Sequence, residues 1–267
     1  MKVLPSEYNI LTPLQSENLI RLGINKDGGY IVDGDLLLSS NFMVSFGMAN
    51  EFSFEKHFLM LKNKNALIIF DFSISHFHYI KELFKNMRRI LKFKRNFSDL
   101  FKCVIEYFNF INFTNKRNVN FFSKKICHRA NDSKSITVKE IFEKYKIKNT
   151  TLKIDIECSE YEIIEDILFY SNYIDQIIIE FHDTHKRKNE FIEKIIKMKK
   201  FFFITHIHGN NYRNLNNDGF PINAEITFIN NKFLSKKYKK KFLFPDSKLD
   251  FPNNNKIKDL SFKFSII

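Results

Sequence analysis

Four short apolar runs constrain this 267-residue chain more than any other feature: Phe42–Phe46, Ala66–Phe70, Thr151–Ile156 and Gln176–Phe181. Each is five or six residues long and closes on Gly, Asp, Glu or His. Runs this brief, apolar on consecutive positions rather than every other one, suit strands buried on both faces of a parallel sheet. Between them lie segments of helical period. Phe52–Lys62 carries Phe54, Phe58 and Leu61 on one side, and Ser159–Phe169 carries Tyr161, Ile164 and Leu168. Ser135–Tyr145 and Glu190–Lys200 also read as helices. Strand and helix alternating over short connections predict an α/β fold, with a mostly parallel sheet and helices on both faces.

The ends of the chain are less regular. Asp27-Gly28-Gly29-Tyr30-Ile31-Val32 reads as a tight turn feeding a strand, and residues 1–40 as a lead-in with a hairpin. Residues 41–235 form the main domain, closed by strands over Phe201–His206 and Ala224–Ile229, the last two antiparallel. Residues 74–130 interrupt it. Ile80, Leu83, Phe84 and Met87, then Phe101, Val104, Ile105 and Phe108, predict amphipathic helices with basic outer faces, read as a core crossover plus a helical elaboration. Residues 236–267 form a basic C-terminal tail, expected to dock loosely from Phe251 onward.

Composition narrows the setting. Lys+Arg 43 against Asp+Glu 30 gives +13, concentrated in Lys236-Lys237-Tyr238-Lys239-Lys240-Lys241 and in Arg88, Arg89, Lys92, Lys94 and Arg95. A solvated face is the plain reading of such runs; a phosphate-bearing substrate or an anionic membrane surface is the functional one. The surplus follows the same Lys-rich drift that gives 32 Phe and no Trp. Cys103, Cys127 and Cys158 are widely spaced and form no CxxC pair, which argues against a disulfide framework or structural zinc. The first ten residues lack a secretory pattern and no run is long enough to span a membrane, so a cytoplasmic location is expected.

Ligands of open parallel sheets bind beyond the carboxyl ends of the strands. Gly47-Met48-Ala49-Asn50 follows the first run, Asp71 the second, Asp155-Ile156-Glu157 the third, and Glu180-Phe181-His182 the fourth. The late strand ends in His206-Ile207-His208-Gly209-Asn210-Asn211. Gly47 and Asp71 lie 24 positions apart, close to the roughly 20 that separate a nucleoside loop from its ribose-binding acid. One Gly without a phosphate cradle favours S-adenosylmethionine over a dinucleotide. Glu157 and Glu160 also suit a plain capping role at a helix start, whereas Asp155 ends an apolar strand and needs a partner. His182, His206 and His208, converging with Asp155 and Glu180, could supply a general base or a metal site of mixed nitrogen and oxygen ligands. A resident metal is not favoured.

Leu152-Lys153-Ile154-Asp155-Ile156-Glu157-Cys158-Ser159-Glu160-Tyr161-Glu162-Ile163-Ile164 resembles the strand-to-helix signature of the FkbM family, with Cys158 where a Gly usually follows the first Glu. Asp27–Tyr30, Ser45–Asn50, Ile179–His182, His206–Asn211 and Glu225–Phe228 match in order, covering Arg21 to Phe228 apart from the helical stretch. The resemblance implies a Rossmann-like class I methyltransferase fold and S-adenosyl-L-methionine as methyl donor. It implies an acceptor sugar, nucleotide-linked or in a polysaccharide, such as a heptose of a bacterial capsule. By it, Tyr30, Gly47, Met48, Asn50, Asp71, Asp155, Ile156 and Glu157 bind cofactor. Asp155 lies beside the methyl, His182 and His208 face the acceptor, and Glu180, His206, Asn210 and Asn211 bind it. Two alternatives remain from the residues alone: a nucleic-acid methyltransferase, prompted by the charge but lacking an Asn-Pro-Pro-Tyr-like loop, and a non-catalytic scaffold that keeps the fold.

Overall fold

The computed structural model describes residues 2–62, 66–92, 97–235 and 238–265. Lys94, Arg95, Lys236 and Lys237 of the two basic runs lie outside the described residues. Seven strands form the central sheet: β1 (Phe42–Phe46), β2 (Ala66–Phe70), β3 (Val119–Phe122), β4 (Thr150–Ile154), β5 (Ile174–Phe181), β6 (Phe202–Gly209) and β7 (Ala224–Asn230). Their spatial order is β6-β7-β5-β4-β1-β2-β3, and only β7 runs against its neighbours. This is the Rossmann-like class I methyltransferase arrangement. The strand order reverses between the parallel β1 and β4, which opens a ligand crevice at their carboxyl ends.

Helices α1 (Gly34–Ser39), α2 (Ser53–Leu61), α3 (His76–Leu91), α4 (Phe97–Thr114), α5 (Val138–Tyr145), α6 (Glu160–Phe169) and α7 (Lys188–Met198) surround the sheet. The strands' alternation sorts side chains into two cores. Val44, Phe46, Ile68 and Ile154 pack with Ile141, Ile164 and Ile195 of α5, α6 and α7. Met43, Leu67, Ile69 and Ile178 pack on the other face with Tyr30 and Val32 and with Phe54 and Phe58 of α2. All five residues of β4 are buried, its Thr150, Thr151 and Lys153 included.

Several boundaries differ from the sequence reading. The interrupted stretch yields two helices but also β3, whose Val119-Asn120-Phe121-Phe122 is too short to stand out beside them. The predicted helix over Ser135–Tyr145 begins only at Val138, because Thr137 and Glu140 form a reciprocal capping box and Ser135–Ile136 pairs with Lys125–Ile126. Strand β4 stops at Ile154, and β6 runs on to Gly209, so His206 and His208 sit within a strand rather than past it. The segment beyond Phe251 is firmly docked. Phe262–Lys263 pairs with Lys2–Val3 and with Leu243–Phe244, and Phe244, Phe262 and Phe264 are fully buried against one another.

Candidate active site

Two loops meet at the crevice between β1 and β4. Gly47 holds φ +83°, and a Cβ on it would lie 1.7 Å from the Asp155 carbonyl oxygen, so the backbone crossing itself requires glycine. Ala49, Glu157 and Cys158 also adopt positive φ, at 51°, 52° and 71°. Three non-glycine residues in the left-handed region on facing loops is the kind of stored strain that clusters at binding sites. Cys158 thus occupies, at φ 71°, the position where glycine is the easier residue.

Asp71, at the end of β2, fixes the glycine loop. Its Oδ2 accepts from the Met48 and Ala49 amides at 2.7 and 2.8 Å; its Oδ1 accepts from the Ser73 amide and hydroxyl at 2.7 and 2.6 Å. Four donors fill the roughly four lone-pair sites of a carboxylate. A ribose hydroxyl would therefore have to take the place of the Ser73 Oγ donor on Asp71. The cleft, of about 190 Å³, is lined by Gly47, Met48, Asp71, Asp155, Ile156 and Glu157 together with residues the sequence reading missed. Those are Ala49, Phe70, Phe72, Ser73, Lys124, Lys125, Ile126 and Ser159. Lys124, Lys125 and Ile126 follow β3, so missing that strand hid the wall it carries; the pattern of Val119–Phe122 was the one signal for it. The lining sets three carboxylates, Asp71, Asp155 and Glu157, and two lysines, Lys124 and Lys125, around apolar Met48, Phe70 and Ile156, a mix that can take a nucleoside with charged ends. Tyr30 and Asn50 stand behind this wall: the Tyr30 hydroxyl donates to Asp155 Oδ2 at 2.9 Å, and the Tyr79 hydroxyl to Asn50 Oδ1 at 3.0 Å.

Beside the cleft, strand register aligns a row of ionisable groups, since Glu180 on β5 faces Glu225 on β7, which faces His208 on β6. His182 is the hub. Its Nδ1 lies 3.3 Å from Glu160, which also accepts from the His182 amide at 2.8 Å. Its Nε2 points at Asp155, Glu157 and Glu180, with oxygens at 3.7, 3.6 and 3.6 Å. Burial opposes a charge on His182, but the Glu160 contact and the Glu180 carboxylate outweigh it and push the imidazole up to about 10. It is therefore an imidazolium at neutral pH. Burial, with the nearby Asp155 and Glu225 charges, pushes Glu180 well above the carboxylate range. Beneath the glycine loop, the buried Lys153 ammonium donates to the Gly47 carbonyl at 2.6 Å and sits 3.6 Å from Glu55 and 3.9 Å from Asp155. Burial pulls Lys153 down, yet Glu55 and Asp155 more than compensate and its pKa rises. Among the described residues, Asp155, Glu180 and His182 form the one group of acids and histidines whose donor atoms, within 4.8 Å of one another, could hold a metal ion.

The remaining candidates are elsewhere engaged. His208, expected to face the acceptor, is almost fully buried, its Nδ1 at 3.0 Å from Glu225 and its Nε2 at 3.1 Å from Asp259. Those carboxylates overcome the burial that opposes its charge and raise its pKa well above the imidazole range. His206 lies 2.8 Å from Asp250, away from the cleft. Asn211 donates to the carbonyls of Asn254 and Ile257 and accepts from the Asn254 amide. All three hold down residues 250–259, nearly all of them in the tail from Phe251 onward expected to be loose. Asn210 does reach the cluster, donating to Glu180 at 3.0 Å.

No protein-family model matches this chain, and no curated protein matches its sequence. Solved structures that resemble it include the fibrillarin pre-rRNA processing protein of Methanococcus jannaschii, 9% identical, with 72% of this chain and 67% of that one covered at a TM-score of 0.42. An rRNA methylase from Streptococcus thermophilus is 12% identical, with 73% and 92% covered at a TM-score of 0.37. A precorrin-6y C5,15-methyltransferase from Geobacter metallireducens is 9% identical, with 73% and 85% covered at a TM-score of 0.34. Likenesses this weak carry no argument about activity, and the fold assignment rests on the strand order itself.

Proposed function

We propose that the chain is an S-adenosylmethionine-dependent O-methyltransferase of the FkbM type, acting on a sugar hydroxyl in bacterial capsule or surface-glycan synthesis. The observation that carries this reading is the cleft at the carboxyl ends of β1, β2 and β4, which gathers Gly47, Met48, Asp71, Asp155 and Glu157. The family resemblance supplies the acceptor class. Bound adenosylmethionine supplies an already activated methyl group, so the chain's task is to align the acceptor and take its proton. Asp155 and Glu157 are the members of the acidic cluster that line the cleft, and Asp155 is the more enclosed of the two, while His182 is buried and charged before the acceptor arrives. The hydroxyl proton accordingly passes to the Asp155 carboxylate, whose Oδ2 accepts from the Tyr30 hydroxyl and whose Oδ1 lies 3.7 Å from the His182 imidazolium that steadies its charge. Asp155→Asn and His182→Gln, assayed by single-turnover methyl transfer to nucleotide-linked heptoses, test this. Wild-type turnover with either variant would refute the assignment.

A second reading is favoured by one specific geometry. The three oxygens 3.6–3.7 Å from His182 Nε2, with Glu160 orienting Nδ1 behind it, resemble a cation's ligand set and its outer support. Metal-assisted transfer predicts that chelator abolishes turnover and that Mg²⁺ or Mn²⁺ restores it. Full activity in chelator refutes it.

A further inference from the structure

The hairpin of α3 and α4 packs inward through Tyr79, Tyr107 and Phe110, whose rings lie 5.1–5.3 Å apart in the pairs Tyr79–Tyr107 and Tyr79–Phe110. Among the described residues, no element covers its outer face. On α3 the stripe Phe77, Ile80, Phe84, Met87 and Leu91 recurs at three- and four-residue steps along about 21 Å of helix. On α4, Phe97, Phe101, Ile105 and Phe108 form a second stripe. Six of these nine side chains, all Phe or Leu, are between 57% and 77% exposed, where a helix facing only water would carry polar groups.

The charge around the α3 stripe is one-sided, whereas α4 carries Asp99, Lys102 and Glu106. Lys81, Lys85, Arg88, Arg89 and Lys92 flank the α3 stripe and, with its Phe77, Ile80 and Phe84, line a shallow trough. The single acid of α3, Glu82, is bound to Lys85 at 2.6 Å. A second copy docked here about a two-fold axis would set these cations against their own equivalents. An anionic bilayer meets both demands, since the aromatic and aliphatic side chains enter the acyl boundary while the cations reach lipid phosphates. No helix among the described residues is long and apolar enough to cross a membrane, so the contact is with its surface.

We infer that the outer face of the α3–α4 hairpin docks on an anionic lipid bilayer. The consequence for the site is geometric. Helix α3 starts just after Asp71, Phe72 and Ser73 of the cleft, and Tyr79 is tied to Asn50 of the glycine loop. Docking therefore holds the cleft close to the lipid surface. The inference stands on the hairpin alone and is independent of the proposed reaction.

The chain contains no Trp, so Phe84→Trp introduces a unique fluorophore on the docking face. The full chain should co-sediment with vesicles of equimolar phosphatidylglycerol and phosphatidylcholine but not with pure phosphatidylcholine, and the Trp emission should shift to the blue on binding. Arg88→Gln and Arg89→Gln should each weaken partitioning about fivefold. Phe84→Glu with Leu91→Glu should abolish it while circular dichroism and melting stay unchanged, because both positions are exposed. Absence of wild-type binding to the mixed vesicles would overturn the inference. So would undiminished binding by the double Glu variant, which would mark a purely electrostatic polyanion surface. A wild-type dimer that this variant splits, with no vesicle binding, would assign the face to a second copy instead.

Discussion

The carboxyl edge of the sheet has two halves that look alike in sequence and differ in structure. At the ends of β1, β2 and β4, Asp71 and Lys153 bond to backbone, hold strained loops apart and leave a cleft between them. At the β6–β7 end of the sheet, His206 and His208 meet Asp250, Glu225 and Asp259, and residues 246–259 close over them. A polar side chain at a strand end faces the cleft where its partners are backbone groups of the loops around it. Where the partner sits on a packed segment, it becomes a buried ion pair. Glu180 joins the halves, touching Asn210 on one side and His182 on the other.

The sharpest way to break this contrast is to compare turnover on its two sides. Asp155→Asn should lower single-turnover methyl transfer about 10²–10⁴-fold with little change in S-adenosylhomocysteine affinity. His208→Gln should leave turnover within about threefold but cost about 3 kcal/mol in urea denaturation, since it leaves Glu225 and Asp259 without their cation. A folded His208→Gln enzyme with Asp155→Asn-like turnover would make the closed half catalytic. Next in size, Gly47→Ala should cost about 3 kcal/mol in the same denaturation assay, through positive φ and collision with the Asp155 carbonyl.

The halves also differed in how far the sequence could be read. The placement of Gly47, Asp71 and Asp155 at one cleft was legible because it follows from strand ends, which short apolar runs mark well. The wall after β3 was not, because a four-residue edge strand beside two long amphipathic helices carries little periodic signal. The engagement of His206, His208 and Asn211 was equally hidden. Their partners Asp250, Asp259 and Asn254 lie 43 to 51 positions away, in an Asn- and Lys-rich stretch with no apolar pattern to announce its docking. Long-range ion pairs leave no local trace in a chain.

Acidity offers a subtler probe of the junction. The His182 imidazole rises from 6.5 to about 10 in the folded chain, so its stabilisation is full below 6.5 and drains away as pH rises toward 10. Melting temperature should fall across that window, and His182→Gln should flatten the decline. A slope unchanged by the substitution would show that His182 is not held as an imidazolium. Smallest in effect, Cys158→Gly should raise stability by about 0.5–1 kcal/mol, relieving a left-handed residue at the cost of some chain entropy.

The most direct test of the open half is calorimetric titration with S-adenosylhomocysteine, on wild type and on Asp71→Ala, with melting curves confirming that both are folded. Saturable one-to-one binding by wild type, weakened at least about tenfold when the carboxylate that fixes the glycine loop is removed, is the predicted result. No binding by wild type, or equal affinity in the folded variant, would contradict the assignment of this cleft to the cofactor.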